Sequence, residues 1–128
     1  AWAEQGRSSD AVAAFTRVHD SYTKLDCCPG PHGLALIERA AALVASRRFD
    51  ASARDAQAGI KLAQQAQGRL PSSSLTGQAW LALAQIEQAQ GHTDAARRAY
   101  TLAVRNLVET LGEQHPDTVR ARKGLSET

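Results

Sequence analysis

Aromatic side chains are scarce in this chain, at 5% of 128 residues, so a core must be filled mainly by Ala, Leu, Ile and Val, with close approach through small residues. Long apolar runs are lacking too. The longest candidate, LALIERAAALVA, is interrupted by Glu38 and Arg39, which excludes membrane insertion by a span of roughly 18 to 20 apolar residues. Charge of one sign is also missing. Against 15 basic residues stand 13 acidic ones, a balance that gives no field for steering a polyanion and predicts no nucleic-acid partner. There is no signal-peptide pattern. The chain opens AWAEQGR, without Met or a capping residue, as though entering a helix already under way, and we expect it to be part of a longer protein.

Cysteine is limited to the adjacent pair Cys27 and Cys28. A trans peptide holds neighbouring α-carbons about 3.8 Å apart, shorter than the usual disulfide span. Reduced thiols and a cytoplasmic setting are the expectation.

What the chain does have is helix formers. Ala, Leu, Gln, Arg and Glu dominate, and no run of alternating β-branched residues is long enough for a strand, so an all-α fold is expected. Breaks are predicted at Gly6, at DCCPGPHG, near Arg47, at GRLPSSS, at Gly91 and at LGEQHP, where Gly, Pro and Ser clusters interrupt the apolar period. The helices between them fall at about 1–6, 9–25, 32–46, 50–68, 74–90, 93–111 and 116–125. Ser8 or Ser9, Asp50 and Thr93 suit N-caps, and Pro116 suits a first turn.

The breaks resemble one another. GRSSDAVAAF from Gly6 and GHTDAARRAY from Gly91 share Gly, then Ala, then an aromatic at fixed offsets, and RRFDASARDA from Arg47 is a degraded copy. Repetition at this spacing predicts a helical solenoid. Two antiparallel helices pack at 8 to 10 Å only where small residues sit at the crossing. Ala84, Ala96 and Ala103 are that small set, Trp80, Leu83, Ile86 and Tyr100 are the bulky fillers, and Gly91 permits the reversal. In the preceding unit Leu36, Ala40, Leu43, Ser52 and Gly59 take these places.

Through Trp80, Leu83, Ala96 and Tyr100 the chain resembles the tetratricopeptide repeat family, with Ala84 and Glu87 standing where the family pattern has Gly and Tyr. The run into LGEQHPDTVRA is similar to the roughly 42-residue variant of kinesin light chains and bacterial signalling proteins, longer than the usual repeat. The resemblance implies a right-handed α-solenoid in one domain: a partial repeat 1–31, repeats 32–73 and 74–115, and a capping helix 116–128. It also implies a bacterial protein whose function lies in a concave groove lined by the first helix of each pair. That face carries Leu34, Ile37, Ala41 and Val44 in one repeat and Gln78, Leu81, Gln85 and Gln88 in the next.

Ile37 and Leu81 hold the main clamp position where chaperone-binding relatives place polar residues, so carboxylate-clamp specificity is not expected. The paired Asn residues with which kinesin light chains read peptides are absent too. The expectation is a protein-interaction scaffold binding a peptide or partner protein. The alternative is a regulatory sensing domain attached to a signalling kinase or transcription regulator. Trp2, with half of its helix pair missing, suggests self-association through an exposed N-terminal face.

Chemistry is not expected. His19 and Asp20 are adjacent on a helix and point about 100° apart, so they cannot act as base and orienter together. Cys27, Cys28 and His32 lack the cysteine spacing and fourth ligand of a zinc site. No phosphate loop, HExxH or GxSxG occurs. We therefore expect no enzyme activity, no metal and no cofactor. The Arg47–Arg48 and Arg97–Arg98 pairs, with Asp50, Asp94 and Glu87 nearby, read as a solvated face balanced by ion pairs.

Overall fold

The computed structural model describes residues 2–128, with side chains described from Gly6 onward. Among the described residues it contains six helices and no strand: α1 (Trp2–Leu25), α2 (Pro29–Ala45), α3 (Phe49–Gln67), α4 (Ser74–Ala89), α5 (Thr93–Leu111) and α6 (Pro116–Glu127). No helix of the structure is long and apolar enough to cross a membrane. The expectation about a Trp2 face concerns a side chain outside those described.

Local chemistry accounts for the ends. The extended Ser73 accepts a hydrogen bond from the Thr76 amide and starts α4, satisfying one of the amides a helix start leaves open. Pro116 lies in the first turn of α6, where its missing N–H costs nothing. Gly91 takes φ +79 in the α4–α5 turn, and Arg47 takes φ +59 in the α2–α3 turn. The same left-handed reversal is thus made once with Gly and once with a residue that adopts it at a cost.

Two expectations need correction. No break forms at Gly6, because α1 runs through it. A glycine inside a run of helix formers weakens the helix by about 1 kcal/mol but does not end it without a turn or a proline. The N-caps of α3 and α5 are Arg48 and His92, so Asp50 and Thr93 lie just inside their helices.

Each helix packs on its neighbours in sequence, and α4 also touches both α2 and α6. Among the described residues the odd-numbered helices do not approach one another. Even helices therefore share one closely packed face, and odd helices lie on the other side.

Small residues make this approach possible. Ala40, Ala56, Ala63, Ala79, Ala84, Ala96, Ala103 and Ser52 are fully enclosed. Ser52 donates its hydroxyl to the Ala40 carbonyl at 2.8 Å, satisfying the polar atom it buries. Helices α2 and α3 cross at Gly33 and Gly59, where a Cβ on either would meet the other's carbonyl oxygen at 3.2 to 3.3 Å. Between α4 and α5, a Cβ on Gly77 would lie 2.8 Å from the Leu107 side chain.

Positions 44 residues apart are buried alike: Gly33 with Gly77, Ile37 with Leu81, Ala40 with Ala84, Ser52 with Ala96, Gly59 with Ala103, and Ala63 with Leu107. Trp80 is half-buried rather than enclosed, and it packs against both core clusters.

Candidate functional site

Because α2, α4 and α6 share a face, the residues between them form an open groove of about 370 Å³. Leu34, Ile37 and Ala41 come from α2, Gln78, Leu81, Ala82 and Gln85 from α4, and Asp117 and Arg120 from α6. Six of the eight residues expected in the groove therefore lie together. Val44 does not line it and packs against the core cluster of Ile37, Ala40 and Ile86. Gln88 is turned to the other side, where its Oε1 accepts the Tyr100 hydroxyl at 2.5 Å. Burial raises the Tyr100 pKa, with the Glu127 charge adding to it, so the hydroxyl stays protonated and able to donate.

The groove has an apolar floor with one large apolar side chain exposed above it. Ile37 and Leu81 are only 9% and 5% exposed, whereas Leu34 is 43% exposed. Ile37 lines the groove and is at the same time a core residue packed against Gly59. A charge there would disrupt the fold as well as any ligand.

Asp117 and Arg120 close one end, and the pattern of helices α2 and α4 alone did not reveal them. The Gln78 side-chain amide donates to Asp117 Oδ2 at 3.0 Å, and Arg120 pairs with the same carboxylate. Burial by itself would raise the Asp117 pKa. The hydrogen bonds from Gln78 and Arg120 and the charges of Arg120 and His115 outweigh it and hold the carboxyl below its usual value. The end of the groove is therefore ionised near neutral pH. An acidic residue just after the helix-starting His115–Pro116 was the available signal.

A second cluster lies at the α1–α2 turn. Cys27 and Cys28 form a disulfide with α-carbons 3.7 Å apart, contrary to the expectation of free thiols. The usual α-carbon span does not bar this bond because Cys28 adopts a left-handed conformation, φ 66 and ψ 59, that the sequence does not mark with Gly. The inference of a cytoplasmic setting from reduced thiols loses its support.

Beside the disulfide, His19 Nδ1 lies 2.6 Å from His32 Nε2, and the Tyr22 ring stacks on His32. Asp20 is exposed, and His19 has His32 as its partner across the hairpin. Among the described residues no three His, Cys, Asp or Glu side chains are grouped to hold a metal ion.

The arginine pairs do not form the expected ion pairs. Glu87 takes His92 at 2.7 Å, and Arg97 reaches the Thr128 carbonyl.

The His32 imidazole is held below its ordinary pKa by burial, then by the nearby His19 and Arg39 charges. Tyr22 stacks on the ring, and Asp20 acts on Arg39. With a depressed base, the state in which α1 has opened takes up the proton first. Docking of α1 is therefore at full strength above about pH 6.5, the unperturbed histidine value, and weakens as pH falls below it. Hydrogen exchange of α1 amides, corrected for intrinsic rates, is expected to speed severalfold between pH 7 and pH 5 while α5 holds. His32→Gln is expected to flatten that dependence, as NMR exchange rates would show.

Compared with protein-family models, curated proteins and solved structures, the chain matches none.

Proposed function

We propose that this chain is a short right-handed α-solenoid of the tetratricopeptide kind, a protein-interaction module that takes a peptide in the groove of α2, α4 and α6. The observation that carries the reading is the groove itself: the half-exposed Leu34 stands over an apolar floor of Ile37, Ala41, Leu81 and Ala82, bounded by the ionised Asp117 and by Arg120. Such a surface suits a peptide with a short apolar ridge. The solenoid reading is supported by the 44-residue correspondence of buried positions and by even helices meeting even helices across pairs while, among the described residues, odd helices do not meet odd ones. Both follow when one helix pair is stacked on the next.

The groove can be tested without a known partner. Peptides selected from a random displayed library against the protein are expected to carry apolar residues at helical or alternate spacing. Leu34→Glu leaves the core untouched, because Leu34 is exposed. It is expected to weaken their binding by about 2 kcal/mol, roughly thirtyfold, with an unchanged thermal melt. The outward-facing Gln57→Glu is the control. Selected peptides that bind Leu34→Glu and wild type equally would remove the groove as the site.

A further inference from the structure

We propose that Cys27 and Cys28 are a thiol–disulfide exchange site whose redox state sets how firmly α1 docks on α2. A bridge between adjacent residues closes almost no loop, so it restricts the unfolded chain little and is a poor staple for the fold. Both cysteines are exposed, so a reductant can reach the bond. The pair also sits in the only covalent connection between α1 and the rest of the structure.

That connection matters because the described part of α1, from Gly6 onward, is lightly held. None of its described side chains is buried, none belongs to either core cluster, and its backbone approaches only α2. Among the described residues its polar attachments are the His19–His32 contact at 2.6 Å, the stacking of Tyr22 on His32, and the bond from Arg39 Nη1 to Thr16 Oγ1 at 3.2 Å. Beneath the turn is a cavity of about 370 Å³, lined in part by Tyr22, Asp26, Cys27 and His32. Asp26 and Cys28 are both left-handed, at φ 50 and 66, a conformation that non-glycine residues rarely adopt. The ring closed by the disulfide restrains Cys28 there.

Exchange requires an external dithiol. Its thiolate attacks one cysteine sulfur, forming a mixed disulfide and releasing the other cysteine as a thiolate. The second thiol of the reductant then displaces the remaining cysteine. Two electrons pass to the pair, which ends as two protonated thiols, and the dithiol becomes a disulfide. Cys28 is then free to leave the left-handed region. With it goes the turn geometry that sets His19 against His32.

The test compares the full chain, oxidised and after dithiothreitol. Iodoacetamide is expected to add to both cysteines only after reduction. Hydrogen exchange read by mass spectrometry is expected to run at least fivefold faster in α1 and the first turn of α2 of the reduced protein, with α4 and α5 unchanged. Cys27→Ser/Cys28→Ser should reproduce the reduced profile with or without dithiothreitol. Three results would each overturn the proposal: alkylation of both thiols without reduction, identical α1 exchange in the two states, or acceleration spread evenly over all six helices, which would make the bond a general staple. Because the wild-type comparison carries the test, it stands even if the double variant does not fold.

Discussion

Arg39→Met is expected to destabilise the protein by about 3 kcal/mol, because it leaves a carboxylate enclosed without its partner. The Arg39 and Asp55 side chains are only 16% and 12% exposed. They meet through two parallel bonds, Nε to Oδ2 at 2.7 Å and Nη2 to Oδ1 at 2.8 Å. The third guanidinium nitrogen bonds Thr16, so one side chain ties α1, α2 and α3 together. The Asp55 hydrogen bond is also the leading reason that the Arg39 pKa is raised. Urea unfolding should show the loss as a lower midpoint at unchanged slope. Arg39→Met/Asp55→Leu, which removes both charges, should recover most of it. If the single variant unfolds at the wild-type midpoint, the pair is not what holds these helices together.

The second large effect lies where α4 crosses α5. Leu107→Ala removes a fully enclosed side chain and is expected to cost about 2 to 5 kcal/mol. Gly77→Ala places a Cβ 2.8 Å from Leu107 Cγ and Cδ2, an overpacking expected to cost about 1 to 3 kcal/mol. The two should not add. Leu107→Ala deletes the atoms that the new Cβ would strike, so the double variant should be more stable than the sum by about 1 kcal/mol or more. Additive losses in the denaturation cycle would mean that the helices do not cross at this point.

The sequence was most readable where local chemistry is sufficient. The reversal at Gly91 and the start at Pro116 need no tertiary information, and the 44-residue offset placed the small residues at the crossings. The helical period also found Leu34, Ile37, Ala41, Gln78, Leu81 and Gln85 on one face. It could not say how close the neighbouring helix comes. Because α2 and α4 touch directly, Ile37 and Leu81 sink into the floor. Period alone likewise could not show that Tyr100 draws Gln88 away.

The Arg39–Asp55 link, the His19–His32 contact and the disulfide escaped for a related reason. Each depends on pairing across helices or on a left-handed backbone at residues with no glycine to announce it. Gly6 misled in the opposite direction, since a glycine signals a turn only when the chain uses its freedom.

The most direct test of the binding groove is a chemical-shift map of the uniformly labelled protein titrated with a library-selected peptide. The account predicts perturbations concentrated on Leu34, Ala41, Gln78, Ala82, Gln85 and Arg120, with the outward faces of α3 and α5 unaffected. A map centred on α3 and α5 or on the turns, with the α2, α4 and α6 face silent, would contradict it.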